Sequence, residues 1–188
     1  RPIRCAQAPG GTPYRFVSAQ GNDFQCPACK QFVPYVEAVV EEHGANLRFE
    51  YRHFPLTTIH PNATAAAIAA EAAGQQDAFF AMHDLLFERQ EEWSSSPNPR
   101  AQFREYAREL GLDVPTFTRH LDSSILRDAV EADFHEARSR GYTSTPTFVL
   151  NGTKMSYTSF TEFQDQIDAA AAVVTGTSTA ATTTPVAT

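Results

Sequence analysis

Two cysteines separated by two residues, Cys26 and Cys29, are the most constraining feature of the sequence. At this spacing two thiols can share one face of a helical turn, close enough to form a disulfide or to hold a metal ion. Pro27 suits the first position of a helix, because its missing N–H has no partner to lose there. Backbone N–H groups and the helix dipole at that end favour a thiolate over a thiol. The motif therefore predicts a helix that begins with a reactive sulfur.

The pattern of apolar and turn residues in the rest of the chain places this helix between two strands and predicts further helices and a hairpin. Alternating apolar residues predict strands, apolar residues at helical spacing predict helices, and Asn151-Gly152 predicts a tight hairpin turn. We also predict a polar loop over 20–22 and a disordered or linker-like tail from residue 175. The strands are predicted over 14–19, 47–54, 147–150 and 154–157, and the helices over 27–43, 61–74, 75–93, 101–110, 114–121, 123–140 and 161–174.

The order of these elements is a β-α-β unit followed by a β-β-α unit. The right-handed crossover rule makes the first two strands a parallel pair, and the Asn151-Gly152 turn makes the last two antiparallel. This is the order of the thioredoxin fold, split here by helices at about residues 60 to 140.

Several short motifs make the sequence resemble the DsbA-like thiol:disulfide oxidoreductases, a bacterial branch with an inserted helical domain. The resemblance extends from about residue 16 to residue 172, and its motifs occur in the same order around the cysteine pair. They are Asp23-Phe24-Gln25-Cys26-Pro27-Ala28-Cys29-Lys30, Arg52-His53-Phe54-Pro55-Leu56, His60-Pro61-Asn62-Ala63, the helical run 76–87 and Thr145-Pro146-Thr147-Phe148-Val149-Leu150-Asn151-Gly152.

The resemblance implies an α/β, thioredoxin-like fold, in which a central mixed sheet is flanked by helices and an α-helical domain is inserted. The expected segments are an N-terminal arm over 1–13, a thioredoxin-like domain over 14–58 and 141–174, an inserted helical domain over 59–140, and a Thr- and Ala-rich tail over 175–188.

The resemblance also implies roles for the residues around the motif. Cys26 would be the exposed nucleophile and Cys29 the buried resolving thiol. The Thr145–Pro146 bond would be cis and would pack beside the cysteines, leaving the Thr145 backbone free to pair with an extended substrate segment. The residues expected to bind substrate or to tune the redox pair are Pro27, Ala28, Thr145 and Pro146.

The activity implied by the resemblance is the introduction of disulfides into exported proteins by thiol–disulfide exchange at Cys26 and Cys29. Its partners would be unfolded or reduced protein substrates and a redox partner such as a quinone-linked membrane oxidase, and the chain is expected to be a monomer. Such an oxidase belongs in an oxidising space, so we expect an extracytoplasmic location, in the periplasm, in the cell wall or secreted. A membrane tether would lie in a segment outside this sequence.

Two alternative functions stay open. The same fold could serve as a disulfide reductase or isomerase that a partner keeps reduced, because the direction of exchange follows the redox partner and the compartment. The chain could instead be a non-catalytic binding or chaperone module, in which Cys26 and Cys29 form a structural disulfide.

Composition and residue counts argue against other classes of function. A net charge of −7 does not suit nucleic acid, which favours a basic surface. A structural zinc site needs four ligands, and the chain has one Cys-x-x-Cys pair and no closely spaced histidines, so we expect no metal and no cofactor. Among the histidines, His53 and His60 are the best placed to approach the cysteines. Cys5 is either a free thiol or half of an intermolecular disulfide.

The sequence departs from the family's pattern at two positions. Members often carry a buried acid six residues before the first cysteine, where this chain has Gln20, whose amide cannot exchange a proton. The strongly oxidising members carry a histidine between the cysteines, where this chain has Ala28. Without an imidazolium beside the thiolate, Cys26 should be less acidic than in those members and the protein a milder oxidant.

Substituting Ala28 by histidine is therefore expected to lower the pKa of Cys26 and to raise the reduction potential of the cysteine pair. The physical reason is that an imidazolium stabilises the thiolate of the reduced form. The alkylation rate of Cys26 against pH measures the first effect, and a glutathione redox titration measures the second. Unchanged results in both measurements would contradict this interpretation of Ala28.

Overall fold

A computed structural model of the protein describes residues 5–6, 15–43 and 47–176, with side chains described over 21–43 and 47–172. This part of the chain forms five strands and eight helices. The strands are β1 (Cys5–Ala6), β2 (Arg15–Asn22), β3 (Leu47–His53), β4 (Thr147–Leu150) and β5 (Thr153–Lys154). The helices are α1 (Pro27–His43), α2 (Ala63–Gly74), α3 (Phe79–Glu88), α4 (Gln90–Trp93), α5 (Pro99–Glu109), α6 (Val114–Leu121), α7 (Ser124–Ser139) and α8 (Phe160–Gly176).

The strands form one mixed sheet in the order β1-β3-β2-β4-β5. β2 pairs in parallel with β3 and antiparallel with β4, and β4 pairs antiparallel with β5. Asn151 and Gly152 both have positive φ angles, 50° and 85°, as a type I′ hairpin turn requires. The predicted parallel first pair, the antiparallel last pair and the thioredoxin-like fold class are therefore confirmed.

Two predictions about the strands are wrong, and β1 was not predicted. β1 lies within the predicted arm and pairs antiparallel with β3, whereas β5 ends at Lys154 instead of continuing to residue 157. Residues 20–22 belong to β2, although their polar character and glycine predicted a loop. Gly21 pairs with Thr147, and a Cβ at Gly21 would lie 3.1 Å from the Thr147 Cβ. Glycine is favoured there, because any side chain would force the neighbouring β4 to shift by a few tenths of an ångström.

The predicted helix over 75–93 is also wrong, because the chain turns twice within it. The N–H of Ala78 bonds the carbonyl of Ala73 at 3.0 Å, and Asp77 has a φ of 59°. This closes α2 and starts α3 in a new direction. A second break at Arg89 separates α3 from α4. The remaining predicted helices agree with the structure to within a few residues at their ends.

The helices α2 to α7 lie between β3 and β4 in the chain and pack around α2. Alanines occupy most of α2, and nearly all of them are buried, so α3, α5, α6 and α7 can each approach its backbone. Most of the large apolar side chains of the inserted helices lie in the core. The most completely buried are Phe79, Met82, Leu86, Trp93, Phe103 and Phe117.

One continuous core cluster joins these inserted helices to the sheet. It contains Phe24 and Tyr51 from the sheet side, and both Cys26 and Cys29. The cysteine pair therefore lies where the helical insertion meets the sheet. Within the described residues, no helix has both the length and the apolar character that a membrane span needs.

Candidate functional site

The cysteine motif follows β2 directly and starts α1. The N–H of Cys26 bonds the carbonyl of Asp23 at 3.0 Å, which forms a tight turn between Asn22 and the helix. The Cys26 carbonyl then accepts from the Lys30 N–H at 3.2 Å, so Cys26 occupies the N-terminal end of α1, with Pro27 as the first helical residue. This is the local structure that the cysteine spacing and Pro27 predict.

The thiol of Cys26 is strongly acidic. Its pKa is lowered from 9.0 to about 5, and the largest cause is the hydrogen bond that the Cys29 thiol donates to the Cys26 sulfur. Burial opposes this effect, whereas the hydroxyl of Thr145 and the backbone N–H groups of Cys29 and Ala28 add to it. The N–H groups are those of the exposed helix end, which favour a thiolate. At neutral pH, the sulfur of Cys26 is therefore negatively charged.

The thiol of Cys29 behaves in the opposite way. Burial raises the pKa of Cys29 well above its ordinary value, and both the hydrogen bond to Cys26 and the negative charge there raise it further. Both cysteines are free thiols in the structure. Two identical groups three residues apart therefore differ in charge at neutral pH, because hydrogen bonds outweigh burial at Cys26, whereas burial outweighs them at Cys29.

The segment that precedes β4 lies against the cysteines. The Thr145–Pro146 peptide bond is cis, the isomer that the family resemblance implies. The Sγ of Cys26 lies 3.8 Å from the Thr145 carbonyl oxygen, and the Thr145 hydroxyl lowers the pKa of both cysteines. The structure thus brings Cys26, Cys29 and Thr145 together across 119 residues of sequence.

The expectation that Cys26 is exposed is wrong, because the Thr145 segment covers it. Cys26 keeps only 7% of its surface exposed, although Cys29 is more deeply buried at 2%. Pro27 is exposed, and Ala28 and Pro146 are half-buried. Only a small part of Cys26 is therefore accessible from outside the protein.

A glutamine of the inserted helices holds the motif in place. Gln90, at the start of α4, is buried, and its Nε2 donates to the carbonyls of Phe24 at 2.7 Å and Cys26 at 3.1 Å. The sequence gives no indication of this role, because a glutamine in a helix usually faces solvent. The contact becomes visible only when α4 is packed against the loop before α1.

A second link joins the loop before α1 to the inserted helices. The Gln25 side chain donates to the Ser94 carbonyl at 2.8 Å and accepts from the Asn62 N–H at 2.8 Å. The Asn62 side chain in turn donates to the carbonyls of Trp93, Ser94 and Ser96. The inserted helices therefore hold residues 24–26 through two backbone carbonyls and one side chain.

Asp23 is a buried carboxylate directly before the motif. Its Oδ1 accepts from the Gln25 N–H at 2.7 Å, and its Oδ2 accepts from the Leu56 N–H and from His60 Nδ1, both at 2.8 Å. These bonds tie the end of β3 to the loop that carries Cys26. Asp23 belongs to the motif that carried the family resemblance, but the sequence alone assigned it no role.

The two histidines that were expected near the cysteines have different surroundings. His60 binds Asp23 and so lies beside the loop that carries Cys26. His53 is completely buried, with its Nε2 2.8 Å from Glu71 Oε1 and its ring against Phe24 and Tyr51. It joins β3 to α2.

The described residues contain one group of three potential metal ligands, Glu42, His43 and Asp168. His43 Nε2 lies 2.7 Å from Asp168 Oδ1, a hydrogen-bond contact between α1 and α8. Because α1 begins at the cysteine motif and His43 is its last residue, the group lies at the opposite end of the helix from the cysteines. The side chains of Cys5 and Gln20 lie outside the described residues.

Comparison with known families and curated proteins gives two findings. A family model described as Thioredoxin matches residues 22–169, which is well over half of the chain. A stretch of the Na(+)/H(+) antiporter NhaA 1 of Salinispora arenicola is 40% identical over 131 residues, which are 70% of this chain and 19% of the antiporter. The chain spans about a fifth of the length of the curated relatives that it matches.

Solved structures with the same fold are thiol–disulfide proteins by name. A thioredoxin-like oxidoreductase from Silicibacter pomeroyi is 26% identical, with a TM-score of 0.69 over 84% of this chain and 87% of that chain. Alpha-DsbA1 of Wolbachia pipientis is 17% identical, with a TM-score of 0.77 over 92% of each chain. This second likeness establishes the shared fold, including the helical insertion.

The contacts of Gln90 generate a prediction about stability. Replacing Gln90 by methionine removes the donor from the buried Phe24 carbonyl and leaves the Cys26 carbonyl with the Lys30 N–H alone, so we expect the free energy of unfolding to fall by about 1–3 kcal/mol. Urea denaturation of the reduced protein measures this change in the free energy of unfolding. The control is Gln31→Met on the exposed face of α1, which should change stability by less than about 0.5 kcal/mol. Equal losses for both variants would contradict the role of Gln90.

The acidity of Cys26 generates a second prediction. Its alkylation by iodoacetamide should follow the thiolate fraction, with a midpoint near pH 5. Cys29→Ala should move the midpoint to higher pH, because it removes the hydrogen bond that lowers the pKa most. Cys29→Ser, which keeps a donor, should move it less. Mass spectrometry of the modified peptides against pH measures all three. A midpoint near the ordinary 9.0 in the unaltered protein would contradict the arrangement.

Proposed function

We propose that this chain, which belongs to the thioredoxin family and is DsbA-like, introduces disulfides into exported proteins by exchange at Cys26 and Cys29. The observation that carries the proposal is the opposite shift of the two pKa values, down to about 5 for Cys26 and well above 9.0 for Cys29. A thiol of low pKa is a good leaving group and a nucleophile at neutral pH, whereas its buried neighbour Cys29 stays protonated.

The reaction starts from the Cys26–Cys29 disulfide. A substrate thiolate attacks the Cys26 sulfur, the bond between the two cysteines breaks, and Cys29 leaves with the electron pair and takes up a proton. A second substrate thiolate then attacks the substrate sulfur of this mixed disulfide, and Cys26 leaves as a stable thiolate. The substrate gains a disulfide and loses two electrons, and the chain becomes the dithiol.

The acidity of Cys26 favours this direction. Stabilising the Cys26 thiolate stabilises the reduced form of the pair, so the disulfide form is a better oxidant. The helix end, the Cys29 thiol and the Thr145 hydroxyl supply that stabilisation without a histidine at Ala28. Since the reduced form must be reoxidised, a redox partner such as a quinone-linked membrane oxidase is part of the proposal. An oxidising, extracytoplasmic compartment follows for the same reason.

We assign substrate binding to the surface around Cys26. The Thr145 backbone lies beside the Cys26 sulfur, where an extended substrate segment could pair with it as an added strand. Exposed Pro27 and half-buried Ala28 and Pro146 would contact such a segment. We also propose that the chain divides at the predicted boundaries. The parts are the arm, the thioredoxin-like domain, the helical insertion and the tail.

The two alternative functions give different outcomes in the same assays. A reductase or isomerase would use the same cysteines but would need to be kept reduced, whereas a binding module would not need Cys26 at all. The relatives named as Na(+)/H(+) antiporters share only about a fifth of their length with the chain, so no antiport activity is proposed for it.

Oxidative refolding of a reduced, unfolded protein such as ribonuclease A tests the proposal. The oxidised chain should speed disulfide formation, with one substrate disulfide formed for each chain reduced. Cys26→Ser should abolish the effect. In Cys29→Ser, the Cys26 thiolate should attack a disulfide already present in an oxidised substrate and stay bound to it as a mixed disulfide, which a gel without reductant shows.

Insulin reduction with dithiothreitol separates the alternatives. Rapid insulin reduction together with inactivity in refolding would indicate a reductase. Activity in neither assay, with a function that survives in Cys26→Ser, would indicate a binding module and overturn the proposal.

A further inference from the structure

A cavity of about 210 Å³ lies between α1 and α3, above the sheet. Its wall includes the buried Cys29 and, on the two helices, the exposed residues Glu37 and Asp84. The cavity therefore connects the surface of the protein to the buried cysteine. It has room for several water molecules, each of which takes about 30 Å³ in the liquid. Most of its wall is apolar, and the polar side chains that can bind water there include Glu37, His83 and Asp84.

Thiol–disulfide exchange requires a proton to move at Cys29. When the Cys26–Cys29 bond breaks, Cys29 leaves as a thiolate in surroundings that favour the thiol. Two nearby groups do not suit the transfer. The side chain of Asp23 already accepts three hydrogen bonds, and burial raises the pKa of Tyr157 to about 12, so it holds its own proton.

His83 lines the same cavity as Cys29. Its Nδ1 lies 2.7 Å from Asp84 Oδ1, and because a carboxylate only accepts, the Nδ1 carries the hydrogen. Nε2 is then the nitrogen that can take up a further proton. Aromatic rings fix the imidazole in place, with centroids between 5.0 and 6.4 Å away. They belong to Phe24, Tyr51, Phe79, Phe80 and Phe87.

Several polar groups face His83 and this cavity from the neighbouring elements. Asp84 is on its own helix α3, Glu37 on α1, Tyr51 on β3 and Asn22 on β2, together with Cys29 itself. Asp84 and Glu37 are exposed and can exchange protons with solvent. The imidazole lies deeper, with 11% of its side chain exposed. It can accept a proton at one nitrogen and release one from the other.

We propose that His83, supported by Asp84, exchanges the Cys29 proton with solvent through water in this cavity. The inference rests on the proposed function. When the Cys26–Cys29 bond breaks, its electron pair stays on Cys29, and a proton passes from the imidazole through water to that sulfur. Solvent then returns a proton to the imidazole at the cavity mouth. When Cys29 attacks a mixed disulfide, the proton moves in the opposite direction.

The test is the rate at which reduced glutathione opens the Cys26–Cys29 disulfide, followed by acid quench and mass spectrometry. His83→Ala should slow this step by about tenfold or more, since general acid–base groups contribute about 10²–10⁴-fold. His83→Gln, which keeps more of the volume but cannot exchange a proton, should be equally slow. Added imidazoles should restore the rate in His83→Ala in the order of their own pKa values.

Controls separate the outcomes. His135→Ala, which removes an exposed histidine from α7, should keep the original rate, and the alkylation profile of Cys26 should be unchanged in every variant. Original rates in both His83 variants would overturn the inference while leaving the function intact. A slow rate in His83→Ala that the imidazoles do not restore would also overturn the inference, because the loss of rate would then come from altered packing. If the unaltered protein does not react with glutathione, the proposed function fails instead.

Discussion

The hydrogen bond from the Cys29 thiol to the Cys26 sulfur is the interaction on which the rest of the site depends. It is the largest cause of the low pKa of Cys26, and it also helps to keep the proton on Cys29. The bond needs one sulfur at the helix end, among N–H donors, and the other one turn further along, inside the core. The junction of β2 and α1 provides both positions at once.

The helical insertion contributes to this site as well as to the size of the core. Gln90 and Asn62 reach the loop around the cysteines from two different helical segments, and α3 closes a cavity over Cys29. The sheet positions the sulfurs, and the insertion fixes the backbone that carries them. Substitutions that alter the packing of α3 or α4 should therefore change the redox chemistry of the cysteine pair, even when both cysteines are kept.

The fold could be predicted largely from the sequence because its determinants are local. Apolar periodicity marks the long helices, and Asn151-Gly152 specifies the hairpin. The errors fall where tertiary contacts decide. In the sequence Gly21 resembles a loop residue, and only its closeness to β4 shows that it belongs to a strand. The break at Asp77 depends on how α2 and α3 pack. The contacts of Gln90 and the position of His83 were not predictable either, because they join segments that are distant in sequence.

The reduction potential of the Cys26–Cys29 pair tests the central claim most directly, because it measures how much the site stabilises the reduced form. Equilibration of the protein with glutathione buffers gives this value. The low pKa of Cys26 and the absence of a histidine at Ala28 predict a potential between those of thioredoxin, about −270 mV, and a strong oxidase, about −120 mV. A value at or below about −270 mV would contradict the account, because the pair would then favour the disulfide form and act as a reductant.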